Sequence, residues 1–96
     1  MHVITRRRLL EFGKRHKDAA EPLDRWYQIV KRTDFESFSD LRKTFPSADK
    51  VGRLTVFNIS GNKYRLITFT VYTRKRIYIR EILTHEEYDR GKWKEL

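Results

Sequence analysis

Leu54-Thr-Val-Phe-Asn-Ile-Ser-Gly-Asn-Lys-Tyr-Arg-Leu-Ile-Thr-Phe-Thr-Val-Tyr-Thr-Arg-Lys-Arg-Ile-Tyr-Ile-Arg-Glu-Ile-Leu83 is the stretch on which the fold turns. Its apolar residues recur at every second position, and β-branched and aromatic side chains dominate, a pattern that suits strands and not helices. Three antiparallel strands are predicted, over residues 54–59, 64–73 and 77–83. Ser60-Gly61-Asn62-Lys63 supplies the first turn, because Gly and Asn both tolerate positive φ, and Thr73-Arg74-Lys75-Arg76 supplies a tighter second one.

Upstream of this meander the period changes. Leu23, Trp26, Tyr27 and Val30 recur at i, i+3, i+4 and i+7, so an amphipathic helix is expected from about residue 20 to 32, with Pro22 in its first turn. Before it, Met1-His-Val-Ile4 suits an edge strand, and Thr5 suits the N-cap of a helix carrying Leu9, Leu10 and Phe12 on one side. After it, Ser39 opens a segment of one or two helical turns, with Leu41 and Phe45 four apart and Pro46 closing it. Residues 85–96 are polar and are expected to form a terminal helical turn and a frayed tail, with Tyr88 and Trp93 as docking residues. The fold class is therefore α+β.

Ninety-six residues fit one domain, 1–96, and no repeat, low-complexity tract or linker divides them. With 39% hydrophobic residues and thirteen aromatics (two Trp, five Tyr, six Phe), the chain can bury a core. There is no cysteine, which rules out a disulfide framework and a thiolate metal site and is compatible with a reducing compartment. Arg6-Arg7-Arg8 is followed only by Leu9-Leu10 before Glu11, too short for the apolar part of a signal peptide. No stretch approaches the roughly 18 apolar residues that a membrane span needs. A cytoplasmic protein without membrane contact is expected.

Twenty-two Lys and Arg against thirteen Asp and Glu give a formal charge of +9, which favours a polyanionic partner, nucleic acid before an acidic protein. The charge is unevenly spread: residues 51–80 hold seven basic residues (Arg53, Lys63, Arg65, Arg74, Lys75, Arg76, Arg80) and no acid. Thirty residues of one sign on adjoining strands create a sustained positive field suited to phosphates. Lysine and arginine also guard sheet edges, a reading that fits residues 74–76 better than Arg65 or Arg80. A first hairpin symmetric about Gly61-Asn62 sets Asn58 opposite Arg65, and a second symmetric about Arg74-Lys75 sets Arg65 opposite Thr84 and Arg80 opposite Phe69. All then share one face, with Asn58, Arg65 and the Thr84-His85 pair near one end and Arg80 about 13 Å along the sheet unless a bulge intervenes. The other face carries Phe57, Ile59, Tyr64, Leu66, Ile77, Ile79 and Leu83, the more apolar set, and is the face expected to lie under the helices.

Several chemistries are poorly served. Glu86, Glu87 and Asp89 form the only local run of carboxylates here, His2, His16 and His85 lack metal-ligand spacing, and Gly61 stands alone without a phosphate loop. RNA cleavage needs no metal when the substrate's own 2′-hydroxyl attacks the adjacent phosphate. His85 and Tyr88 can move protons, and Arg65, Arg80 and Lys63 can neutralise the crowded phosphate. Each has a plain alternative: His85 capping the final turn, Tyr88 packing, Asp89 pairing with Arg90 or Lys92. A non-catalytic RNA-binding module, or a basic domain that docks an acidic protein, would use the same charged sheet.

Phe57-Asn-Ile-Ser-Gly-Asn-Lys-Tyr-Arg-Leu-Ile67, followed by Tyr78-Ile-Arg-Glu-Ile-Leu-Thr-His-Glu-Glu-Tyr-Asp89, resembles the HigB-type branch of the RelE-like toxins. Met1-His-Val-Ile4 and Phe38-Ser-Asp-Leu-Arg-Lys-Thr-Phe-Pro-Ser-Ala-Asp49 resemble it as well, so the likeness covers nearly the whole chain. It implies helices packed on one face of a small curved antiparallel sheet, and a toxin that cuts messenger RNA, commonly on the ribosome. It implies a cognate antitoxin, often a helix-turn-helix DNA-binding protein, through which alone the complex meets operator DNA. Carried onto the matching motifs, the catalytic set is Lys63, Arg65, Arg80, His85 and Tyr88, with Asn58 and Asn62 as supporting RNA contacts and no cofactor. His85 is then the main proton-transfer group, Arg65 and Arg80 stabilise the phosphate, Tyr88 is a second proton handler or stacking platform, and Lys63 positions substrate. Arg74, Lys75 and Arg76 would extend the RNA-binding surface.

Overall fold

A computed structural model describes residues 1–95; Leu96, the end of the expected tail, lies outside the described residues. The chain runs β1 (His2–Ile4), α1 (Arg6–Arg15), α2 (Lys17–Arg32), α3 (Phe38–Thr44), β2 (Asp49–Val51), β3 (Leu54–Ile59), β4 (Tyr64–Val71), β5 (Arg76–Thr84) and α4 (His85–Arg90). Short 3₁₀ turns span Tyr72–Arg74 and Lys92–Glu95. The sheet order is β1-β5-β4-β3-β2. The α+β class is as expected, but the sheet is mixed and not wholly antiparallel, because β1 pairs parallel to β5. The connection between this parallel pair runs through α1, α2, α3 and strands β2 to β4, far longer than the roughly dozen residues a crossover requires. No helix among the described residues is long and apolar enough to cross a membrane.

The predicted first hairpin holds, with Asn58 opposite Arg65. The second does not. Its turn closes on Val71 and Arg76 through a 3₁₀ turn and a left-handed Lys75 (φ 55°), so Phe69 faces Tyr78 and Arg65 faces Leu83, where Arg80 and Thr84 had been expected. The register also shifts between Ile67 and Thr68, leaving Arg80 as the extra residue of a bulge. That bulge reverses the alternation of the end of β5. Ile82 turns to the helices, while Leu83, expected there, packs on the other face with Val56, Ile67, Tyr88 and Trp93. Arg8, on α1, donates to the carbonyls of Ile79 and Arg80 and so satisfies the bulged backbone.

The remaining residues assigned to the helix-covered face (Phe57, Ile59, Tyr64, Leu66, Ile77, Ile79) are all buried, against Leu9, Phe12, Leu23, Trp26, Val30 and Leu41. Leu10, expected beside Leu9, is half exposed, because only the i, i+3 pair of this short helix faces the core. Gly13 lets α1 and α2 approach: a Cβ there would lie 3.1 Å from Cα of Ala20. Helix α2 starts at Lys17, earlier than expected, and Pro22 sits inside it. Proline has no N–H to give the carbonyl of Asp18, and the hydroxyl of Ser60 takes that place at 2.7 Å. A local rule was therefore overridden by a contact 42 residues away in sequence. Helix α3 is capped by Ser37 and not Ser39, the Ser37 hydroxyl accepting from the Asp40 N–H at 3.1 Å. Strand β2 was not foreseen. It is three mostly polar residues whose strand character comes from pairing with β3.

Candidate active site

The site is assembled where the end of β5 meets the turn between β3 and β4. Thr84 closes β5 and caps α4: its hydroxyl accepts from the Glu87 N–H at 3.2 Å, and the Glu87 carboxylate accepts from the Thr84 N–H at 2.9 Å. This box launches α4 with His85 as its first residue. The His85 N–H donates to the Lys63 carbonyl at 2.9 Å, tying the helix start to the turn.

Arg65, on β4, is held at both ends of its guanidinium. Nη1 donates to the carbonyls of Asn62 (3.0 Å) and Tyr64 (3.3 Å), and Nη2 lies 3.4 Å from Nδ1 of His85. A guanidinium only donates, so this contact fits the tautomer in which Nδ1 accepts and Nε2 carries the proton. Nε2 in turn faces the Asp89 carboxylate at 3.1 Å, one helical turn further along α4. Arg65, His85 and Asp89 thus form a chain whose His85 and Asp89 side chains are both more than half exposed.

Tyr88 projects from α4 toward the sheet. Its ring stacks on Trp93 with centroids 4.9 Å apart and planes 15° apart, and the Arg65 guanidinium lies 5.3 Å from the ring centroid. Trp93 is buried and its indole N–H donates to the Tyr88 carbonyl at 2.8 Å, so the expected docking role holds for both residues. Burial first, and the nearby Asp49 carboxylate second, push the Tyr88 phenol above its ordinary pKa. The phenol therefore stays a hydrogen-bond donor at neutral pH. Tyr88, Arg65 and Asn58 line an open cleft of about 410 Å³ together with Arg42 and Asp49.

Other predicted residues go elsewhere. Lys63 reaches across to α2, pairing with the Asp18 carboxylate at 2.8 Å, whose second oxygen accepts from the Tyr64 hydroxyl at 2.7 Å. These two bonds hold the Asp18 carboxyl below its ordinary pKa, and the first raises that of Lys63. Asn62 contributes its backbone carbonyl to Arg65. Arg80 lines a separate hollow beside Arg53 and Trp93. Arg74, Lys75 and Arg76 lie at the opposite end of β4, six residues and about 20 Å from Arg65, with Lys75 paired to Glu36 at 3.2 Å. Three neighbours of the site were missed. Asp89 had a legible signal in its i+4 spacing from His85, and it is Arg90 that pairs instead with Glu86 (4.0 Å). Arg42 and Asp49 had none, since only the tertiary fold brings them near Arg65. Among the described residues, no three His, Cys, Asp or Glu side chains gather as a metal site.

The family model of the HigB toxin, described as the RelE-like toxic component of a toxin–antitoxin system, matches residues 19–91, which include Asn58, Arg65, His85, Tyr88 and Asp89. The chain belongs to the HigB toxin family. Two relatives of this HigB-family chain show the extent of the likeness. An mRNA interferase HigB of Escherichia coli O6:H1 is 29% identical over 93 residues, covering 94% of this chain and 90% of the relative. The mRNA interferase toxin HigB of E. coli K12 is 30% identical over 92 residues, covering 93% and 88%. As the toxic half of a two-part system, a HigB-family chain implies a cognate antitoxin as its partner.

Proposed function

We propose that this HigB-family chain is an endoribonuclease that cleaves messenger RNA through the RNA's own 2′-hydroxyl, without a metal ion. The observation that carries the proposal is the Arg65–His85–Asp89 chain beside the Tyr88 ring, at the edge of a cleft on the basic sheet. The names of the relatives, mRNA interferases, support the substrate.

The chemistry needs a base, an acid and a cation. A phosphate entering the cleft draws the Arg65 guanidinium onto its oxygens, and the Nδ1 lone pair of His85 is freed to take the 2′-hydroxyl proton. The 2′-oxygen then bonds to phosphorus as the bond to the 5′-oxygen breaks. The imidazolium so formed is stabilised by Asp89, which also holds the ring's orientation. Arg65 offsets the charge that builds on the phosphate, and Tyr88, kept protonated, gives its proton to the departing 5′-oxygen while its ring lies where a base can stack. The products are a 2′,3′-cyclic phosphate and a 5′-hydroxyl. Lys63 serves this scheme by fixing the turn, not by touching RNA. In the same reading the protein acts in the cytoplasm in association with the ribosome, and its antitoxin is a helix-turn-helix protein through which the complex meets operator DNA. Arg74 and Arg76 extend the RNA surface at the other end of the sheet.

The test is the product end. RNA incubated with the protein in excess EDTA is expected to yield cyclic-phosphate termini, read by mass spectrometry on ribosome-free oligonucleotides so that chelation does not disassemble ribosomes. Cleavage that leaves a 3′-hydroxyl and requires added Mg²⁺ would overturn the mechanism.

A further inference from the structure

The sheet face that carries Arg65 holds a second hollow, on the other side of Trp93. It measures about 360 Å³, with Leu54, Phe69 and Trp93 as apolar walls, Arg53, Arg80 and Lys94 as a cationic rim, and no acid among its lining residues. Among the described residues, none of these three cations is engaged in an ion pair. Two lie over aromatic rings: the Arg53 guanidinium is 5.6 Å from the Phe69 centroid and the Lys94 ammonium 5.7 Å from the Trp93 centroid. Arg53 sits at the tip of the β2–β3 turn, after Gly52 with φ 59°. Arg80 is the bulged residue, and the bulge that presents it is held from behind by Arg8.

Aromatic walls beside cations that pair with no carboxylate among the described residues suit a ligand that is planar and apolar in one part and anionic in another, as a nucleotide is. The position agrees with that chemistry. Arg80 lies between the rungs of Ile67 and Thr68, two to three rungs along β4 from Arg65, or about 7–10 Å. Trp93 is a wall of this hollow and stacks on Tyr88 of the other cleft, so the two share a partition. Edge protection accounts for an arginine on an outer turn such as Arg53; at Arg80, beyond the last β1 rung at Tyr78, the open side of β5 is already met by Arg8, which donates to the Ile79 and Arg80 carbonyls.

We propose that this hollow is a second nucleotide subsite. Single-stranded RNA with its cleavable linkage at Arg65 and His85 would lay a neighbouring nucleotide here, its base against Phe69 and its phosphate against Arg53 and Arg80. The placement of the linkage rests on the ribonuclease reading, whereas binding at the subsite is measurable without cleavage.

The experiment measures the binding of 2′-O-methyl RNAs, which lack the attacking hydroxyl, at lengths of two and six nucleotides. The wild-type protein should hold the hexanucleotide more tightly than the dinucleotide. Arg53→Ala, Arg80→Gln and Phe69→Ala should each weaken hexanucleotide binding by about fivefold or more, the low end for one stacked base, with a smaller effect on the dinucleotide. Arg53→Ala should also flatten the salt dependence by about one phosphate contact. Phe69→Leu keeps an apolar side chain without the aromatic face and should show the same loss if Phe69→Ala does not fold. Wild-type hexanucleotide affinity in the folded variants overturns the subsite, as does a wild-type protein indifferent to length. Variants that bind RNA normally but lose affinity for the antitoxin also overturn it, making the hollow a protein contact. Intact length dependence with no cleavage of ordinary RNA would instead sink the ribonuclease reading and leave the subsite standing.

Discussion

His85 is the residue at which the readings of the site part company, because both of its ring nitrogens have partners and only one is a carboxylate. If it transfers the proton, His85→Ala should lower the cleavage rate by about two to four orders of magnitude and leave RNA affinity nearly intact. Arg65→Ala should reduce rate and affinity together. Asp89→Asn removes charge but keeps an acceptor for Nε2, and because the pair is exposed its effect should be smaller, about threefold to tenfold in rate. Single-turnover rates beside binding isotherms check all three, and a folded His85→Ala protein that cleaves at the wild-type rate moves the acid–base role to Tyr88. That His85, Tyr88 and Arg65 come together was legible in the sequence because a turn and a short helix place residues by local rules. Arg80 and Lys63 were not separable from them by sequence. A bulge held by Arg8 diverts one and Asp18 captures the other, and both partners come from helices far away in the chain.

At the scale of elements, Asp18 joins α2 to the hairpin that carries Arg65. Its backbone carbonyl, left without a partner by Pro22, accepts from Ser60, and its carboxylate takes Lys63 and Tyr64. Pro22→Ala restores an N–H four residues on, which makes the Ser60 hydroxyl redundant. Ser60→Ala should therefore cost about 0.5–1 kcal/mol in the wild-type background and markedly less in Pro22→Ala. Both backgrounds keep the positive φ of residue 60 (54°), so the cycle cancels any strain there. Equal losses in urea melts of the two backgrounds would show that the hydroxyl does not replace the missing N–H. The carboxylate adds a pH dependence with a definite sign. Its folded pKa is depressed, so its stabilisation is fully present above the ordinary carboxylate value of about 4 and is lost as pH falls through the folded value. Asp18→Asn should flatten the acid side of the stability profile in that window, and an unchanged profile would mean that the contact contributes nothing. Strands β3, β4 and β5 were legible because their period-two pattern is a local signal, whereas the polar β2 has none. The parallel placement of β1, the start of α2 and the bulge in β5 were not, since each involves groups 40 or more residues distant, such as Ser60 on Asp18 and Arg8 on the bulge, and the register of β5 was missed because its turn closes through a 3₁₀ turn and a left-handed Lys75.

For the molecule as a whole, the charge of +9 and the one-signed run from residue 51 to 80 produce a field that binds any polyanion. Charge alone therefore cannot separate a toxin that destroys messenger RNA from a basic module that only covers it. Expression in a bacterial host separates them, because catalysis turns over and coverage does not. The chain expressed alone should arrest growth and deplete messenger RNA at protein levels far below those of the transcripts. Folded His85→Ala protein should bind as well and spare growth, and co-expression of the cognate antitoxin should restore growth with the wild-type chain. Arrest that persists undiminished with His85→Ala would point to occupancy of RNA or ribosome in place of chemistry. Unimpaired growth at verified high levels of folded wild-type protein would count against the nuclease altogether, because a turnover enzyme at that concentration leaves no transcript pool intact.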